Sequence, residues 1–111
     1  MQKTAAPTLY LWLSSLVLVS SAITGCVIAP PPFEDYAIAR SAVRAAQEFD
    51  SARFATASWN KAEDNYRNGQ KAFKDGDFDQ AKVFFVTALR EAERAENATR
   101  LKKFQSGDSF P

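Results

Sequence analysis

The chain has 111 residues, with 14 Lys and Arg against 13 Asp and Glu, a single cysteine and no histidine. That length holds one domain at most, and the near-balance of charge gives no electrostatic case for nucleic acid or for an anionic membrane surface. One cysteine excludes an internal disulfide, and the absence of histidine removes the commonest general base.

The first 25 residues read as a targeting segment and are set aside from the fold. Met1 to Pro7 carries Lys3 as its only charged side chain, and Leu9 to Val19 is a short apolar run, LYLWLSSLVLV. Ser20 to Cys26 then closes on two small residues and the cysteine. The stretch Ile23-Thr24-Gly25-Cys26 resembles the lipobox of bacterial lipoproteins. That resemblance implies a diacylglycerol thioether-linked to Cys26, cleavage by signal peptidase II between Gly25 and Cys26, and an acyl chain such as palmitate on the new amine. Two other readings stand beside it. A lone cysteine is often a small buried hydrophobe. Leu9 to Ile28 is also about the 20 residues that a membrane span needs, although Ser14, Ser15, Ser20, Ser21, Thr24 and Gly25 make it a poor uncleaved N-terminal single span. Loss of residues 1–25 removes only Lys3 among the charged side chains, so the rest is electrically balanced.

Residues 26–33 form the lipidated cysteine and a proline-rich tether, VIAPPP over Val27 to Pro32. Successive prolines favour a stiff polyproline II segment rising about 3.1 Å per residue. In the sorting pattern of Gram-negative lipoproteins, an aspartate after the cysteine retains the protein at the inner membrane. By that resemblance Val27 implies the outer membrane, facing the periplasm.

Residues 34–104 read as an all-α, Ala-rich three-helix domain, with residues 105–111 as a loose tail. The first helix is expected over about 34–52, with Ile38, Ala39, Ala42, Val43, Ala45, Ala46 and Phe49 on one side at helical period. Glu34 and Asp35 complement its dipole. A break at Arg53 to Ala55 precedes Thr56 as N-cap of a second helix over about 56–75. Its stripe of Trp59, Ala62, Tyr66, Gly69 and Phe73 is spaced 3, 4, 3, 4. Asp75-Gly76-Asp77 then reads as a turn, with Gly76 free to take positive φ and Asp77 placed to cap the next helix. The third helix, about 78–104, has the seam Phe78, Ala81, Phe85, Ala88, Ala92, Ala95 and Thr99. Its polar second half, REAERAENATRLKK, is expected to project past its partner.

The stretch Ala62 to Ala92 resembles one tetratricopeptide repeat, on Gly69, Ala81, Phe85, Ala88 and the Lys74-Asp75-Gly76-Asp77-Phe78 turn. It departs from that repeat at Asn65, Asn68, Ala72 and Glu93, and arrays of such repeats need about three units. The chain after Cys26 is also similar to small Ala-rich bacterial envelope lipoproteins grouped as a domain of unknown function. In those, a lipobox is followed by an Ala-rich helix, a Tyr/Phe-Ala-Pro-like break and a hairpin with a Gly-Asp-Tyr/Phe turn. Phe54-Ala55-Thr56 stands at the break here, with threonine in place of proline. The resemblance implies no catalytic residues.

Few residues carry chemistry. Asp75, Asp77 and Asp79 open like a calcium loop, but Gln80 and Val86 stand where glycine and glutamate are required, so a turn and cap are expected and no metal. Trp59, Tyr66, Arg67 and Lys71 are the candidate ligand or partner surface, although aromatics at this spacing are usually core and charges usually a solvated face. The expectation is a non-enzymatic membrane-anchored envelope lipoprotein with a structural or protein-interaction role. It would use no cofactor beyond the lipids on Cys26, bind a periplasmic protein or copies of itself, and take no nucleic acid or small-molecule substrate. The alternatives are a ligand- or peptidoglycan-binding module with a concave aromatic pocket, and a single-span membrane protein.

Overall fold

The structure, a computed structural model, describes residues 28–107. The signal segment, the Ile23-Thr24-Gly25-Cys26 motif, the candidate span up to Val27 and residues 108–111 lie outside the described residues. Four helices follow in order: α1 Phe33–Glu48, α2 Ser51–Phe54, α3 Thr56–Lys74 and α4 Phe78–Ser106. Among the described residues every regular element is helical. No helix among them is long and apolar enough to cross a membrane.

The spine is α4, which packs most extensively on α3, then on α1, and also on α2. At about 1.5 Å per residue its 29 residues span about 43 Å, against about 28 Å for the 19 of α3. α1 runs alongside α4 in the same direction, with Tyr36 against Phe85 near one end and Ala46 in one cluster with Ala92 and Ala95 toward the other. α3 runs the opposite way, packed mainly on α4 and less on α1, so the fold is an up-down-up bundle.

The core has two parts. Ala39, Ala81, Phe85 and Ala88 form one, flanked by Tyr36, Tyr66, Ala72 and Phe73. Ala46, Trp59, Ala62, Ala92 and Ala95 form the other, flanked by Ala42, Val43 and Ala55. The alanine seams allow close helix approach, and the few large side chains fill the remaining space. Of the expected α4 seam, Ala81, Phe85, Ala88, Ala92, Ala95 and Thr99 are fully buried and Phe78 half-buried. On α3, Trp59, Ala62 and Gly69 are buried, and Tyr66 and Phe73 half-buried.

The turn between α3 and α4 is as its residues demand. Gly76 adopts φ 79°. The Gly76 amide donates to the Phe73 carbonyl at 3.2 Å and the Asp77 amide to the Ala72 carbonyl at 2.9 Å, the paired bonds of a Schellman motif. The Asp77 carboxylate accepts from the Gln80 amide at 3.2 Å, capping α4.

The structure departs from the expected elements at four places. The first helix ends at Glu48 rather than near 52, because Asp50 turns left-handed at φ 65°, a conformation that Asp adopts more readily than most residues. A fourth, short helix α2 follows, with Ser51 buried beneath it. Thr56 is not the N-cap of α3: Ala55 holds that place, and the Thr56 hydroxyl turns back to donate to the Ala52 carbonyl at 2.8 Å. Ile38 is 44 % exposed, since α1 buries only the narrow line of Ala39 and Ala46 fully. Finally, α4 takes in Gln105 and Ser106 and stops at Gly107, φ 75°. The seam of its polar half does not project free: Ala92 and Ala95 pack with Ala46, Trp59 and Ala62, and Thr99 meets Ser51 of α2, whereas Leu101 and Phe104 are exposed.

Candidate functional site

The four residues singled out on α3 do not make one surface. Trp59 is 8 % exposed and belongs to the core with Ala46, Ala62, Ala92 and Ala95. Tyr66 is half-buried, its ring stacked on Tyr36 with centroids 6.0 Å apart. Arg67 and Lys71 lie about 100° and about 140° round the helix from Tyr66, on the solvent side. The Arg67 guanidinium donates to the Asp64 carboxylate at 2.7 Å, with both side chains about two-thirds exposed. Lys71 borders a shallow groove of about 400 Å³ with Asn68, Asp75, Asp77 and Gln80. The 3–4 spacing that makes Trp59 and Tyr66 adjacent to α4 turns the two cations away.

Tyr66 instead joins an aromatic cluster at the end of the bundle where the tether arrives. Pro32 is buried, the Phe33 amide donates to the Pro31 carbonyl at 2.9 Å, and the Tyr36 amide to the Pro32 carbonyl at 3.0 Å. These bonds begin α1 beside the α3–α4 turn. Phe33 packs edge-on against Phe73 at 5.4 Å, Phe73 against Phe78 at 5.5 Å, and Tyr36 against Phe85 at 5.3 Å. A half-open cleft of about 320 Å³ lies here, lined by Phe33, Tyr36, Gln70, Phe73 and Lys74. Phe33 and Tyr36 were not singled out in the sequence. Their i, i+3 spacing at the start of α1 is the signal that would have found them.

The two phenols differ in acidity. Burial pushes Tyr66 up to about 12, and its hydrogen bonding with Tyr36 adds to the rise. Tyr36 moves the other way, below the ordinary phenol value, chiefly because it interacts with Tyr66 and next with Gln70, with Arg40 and Lys74 adding positive potential. Tyr66 is therefore the donor, and the Tyr36 oxygen the acceptor where negative charge is best tolerated. The cleft offers apolar walls, one amide and one ammonium. Among the described residues no group of three or more Cys, Asp or Glu gathers to hold a metal, and Asp77 serves as the α4 cap.

The opposite end is held by cations over rings. The Arg100 guanidinium sits 4.1 Å from the Phe49 ring centroid and also donates to Glu96 at 2.6 Å. Arg53 and Lys103 lie over Phe54 at 5.2 and 5.4 Å, and the Lys102 ammonium donates to the Phe54 carbonyl. Lys102 and Lys103 thus fasten α2 to the last turns of α4, and Arg100 ties the end of α1 to the same turns.

The architecture is that of a small all-α domain whose longest helix backs two shorter ones. The family described as Domain of unknown function (DUF4398) matches residues 34–106, and the chain belongs to it. No curated protein and no solved structure matches the chain.

Proposed function

We propose that this is a lipid-anchored bacterial envelope protein whose helical domain has a structural or protein-interaction role in the periplasm, with no catalysis of its own. The observation that carries the reading is the order of parts: a short apolar run, Ile23-Thr24-Gly25-Cys26, three prolines, and a helical domain beginning at Phe33. Seven residues from Cys26 to Phe33 reach at most about 25 Å, so the aromatic end of the bundle would lie close to the anchoring membrane. Each buried CH₂ contributes about 0.8 kcal/mol, and two or three acyl chains would hold the protein durably. By the resemblance of Val27, that membrane is the outer one.

The interaction role draws on the α3–α4 hairpin. Its likeness to one tetratricopeptide repeat rests on Gly69, Ala81, Phe85 and Ala88, which meet across the helix pair. A second reading, a ligand- or peptidoglycan-binding module, is favoured by the cleft of Phe33, Tyr36, Gln70, Phe73 and Lys74. It would use Tyr36 rather than Trp59.

Intact mass of the membrane-extracted protein tests the anchor. A species beginning at Cys26 with diacylglycerol and acyl mass, lost in Cys26→Ser, is expected. An unmodified full-length mass, the same in both proteins, would overturn the anchor and leave Leu9 to Ile28 as a span. Titration of muropeptides against ring resonances of Phe33, Tyr36 and Phe73 tests the second reading, and flat resonances would remove it.

A further inference from the structure

The end of the bundle that receives the tether carries an exposed apolar edge. Ile28 and Phe33 are 79 and 66 % exposed, two of the six large apolar side chains that the described residues leave in solvent. Phe33 stands between two clefts. One is the cleft of Tyr36, Gln70, Phe73 and Lys74. The other, of about 300 Å³, lies between Ala29 to Pro32 and the start of α4 at Phe78, Asp79 and Lys82. The tether is thus laid against the bundle, with Pro32 buried.

Chain length says what covers this edge. Ile28 is two residues from Cys26, at most about 7 Å of backbone, and Phe33 is seven, at most about 25 Å. The headgroup layer of a bilayer is about 5–7 Å deep on each side. A membrane that holds Cys26 therefore keeps Ile28 within or at the edge of that layer and has Phe33 in reach. Phe104, at the other end of α4, lies about 39 Å along the helix from Phe78. The charges fix the kind of surface. Lys74 and Lys82 line the two clefts, against Glu34, Asp35 and Asp79, with Asp75 and Asp77 in the neighbouring turn. Such a mixture gives no attraction to anionic lipid. It suits headgroups that carry both an amine and a phosphate, and it leaves insertion of apolar side chains as the attractive contribution.

We propose that Ile28 and Phe33 insert into the headgroup layer of a zwitterionic phospholipid surface, that of the membrane holding Cys26, and stand the bundle on its α3–α4 turn with Phe104 pointing away. This contact rests on the reading that the chain is held to a membrane at Cys26. It goes beyond that reading in giving the folded domain a lipid contact of its own and a fixed orientation.

Photocrosslinking of the full-length protein in intact membranes tests it. Phe33, Leu101 and Phe104 are replaced, one at a time, by p-benzoylphenylalanine. Mass spectrometry then reads both the lipid on Cys26 and any phospholipid gained in the photoreaction. One phospholipid mass is expected at Phe33, in a yield about tenfold or more above that at Leu101 or Phe104, which stand well beyond the headgroup layer. With the purified protein in vesicles, replacing phosphatidylcholine by phosphatidylglycerol in a phosphatidylethanolamine mixture should not raise the Phe33 yield. The unsubstituted protein in nanodiscs gives a second reading: headgroup spin-labelled lipid should broaden the ring resonances of Phe33 and spare those of Phe104. Protein adducts or no adduct at Phe33, equal phospholipid yields at Phe104, a several-fold rise with anionic lipid, or equal broadening of the two rings would each overturn the proposal. A lipid mass at Cys26 with no phospholipid adduct at Phe33 would keep the anchor and remove the contact. Phospholipid adducts at Phe33 on a chain that retains residues 1–25 would keep the contact and remove the lipid anchor.

Discussion

The ring of Phe85 occupies the space that a β-carbon on Gly69 would require: its Cδ1 and Cε1 atoms would each lie 2.7 Å away. Phe85 is fully buried and touches rings on both other long helices, Tyr36 on α1 at 5.3 Å and Tyr66 on α3 at 6.1 Å. Gly69 thus lets α3 approach α4 around the largest fully buried side chain of the bundle.

Gly69→Ala is expected to destabilise the domain despite alanine's higher helix propensity. Overpacking costs about 1–3 kcal/mol, and the propensity gain returns about 1 kcal/mol. The net loss, about 1 kcal/mol, lowers Tm by about 4–8 °C in a domain of this size. Adding Phe85→Leu should remove the clash, so the double variant should lose less than the two single losses combined. Thermal unfolding checks this, and a Gly69→Ala protein more stable than the parent would refute it.

Ser51 and Thr99 hold α2 to α4. The Thr99 hydroxyl lies 2.8 Å from the Ala95 carbonyl, to which it donates, and 3.0 Å from the Ser51 hydroxyl, from which it accepts. Both residues are fully buried. Ser51→Ala or Thr99→Val alone should cost about 1–3 kcal/mol by stranding a polar group or opening a gap. The double variant should cost less than the sum. Hydrogen exchange should show the loss concentrated in α2 and the end of α4.

The left-handed Asp50 is the hinge between α1 and α2. Asp50→Gly should be neutral or slightly stabilising, because glycine takes φ 65° without steric penalty. Asp50→Val should cost about 1–2 kcal/mol, because a side chain branched at Cβ crowds the backbone at this φ more than aspartate does. The denaturant midpoint of the valine variant should therefore fall below that of the parent, and the midpoint of the glycine variant should not.

The Tyr36–Tyr66 pair should lose its protons in two steps, one below the ordinary phenol range and one at about 12. The sign for stability follows from linkage. Tyr36, lowered in the folded protein, adds stability as pH rises from its folded value to about 10. Tyr66, raised, contributes fully below about 10 and loses that contribution as pH climbs to about 12. Ring-carbon NMR shifts of each tyrosine check the steps. Tyr66→Phe should abolish the upper one and return Tyr36 toward the ordinary value.

Much of this was legible in the chain. Gly76 and Asp77 announce their turn because few residues tolerate positive φ or cap a helix so well. The α4 seam from Ala81 to Thr99 was legible because a 3–4 repeat leaves one face of a helix apolar. The stop at Asp50 was not, since nothing in Phe49-Asp50-Ser51-Ala52 excludes a further helical turn. It depends on Ser51 finding Thr99, 48 residues away.

The candidate site divides in the same manner. The sequence by itself determined that Trp59 and Tyr66 share a stripe and that Arg67 and Lys71 do not, because helical period is a local property. Only the tertiary structure decided that Trp59 is sealed among alanines, that Tyr66 meets Tyr36 across two helices, and that Val83, Leu101 and Phe104 stay uncovered. Which face is buried depends on which neighbour arrives, and neighbours distant in sequence are brought together by packing.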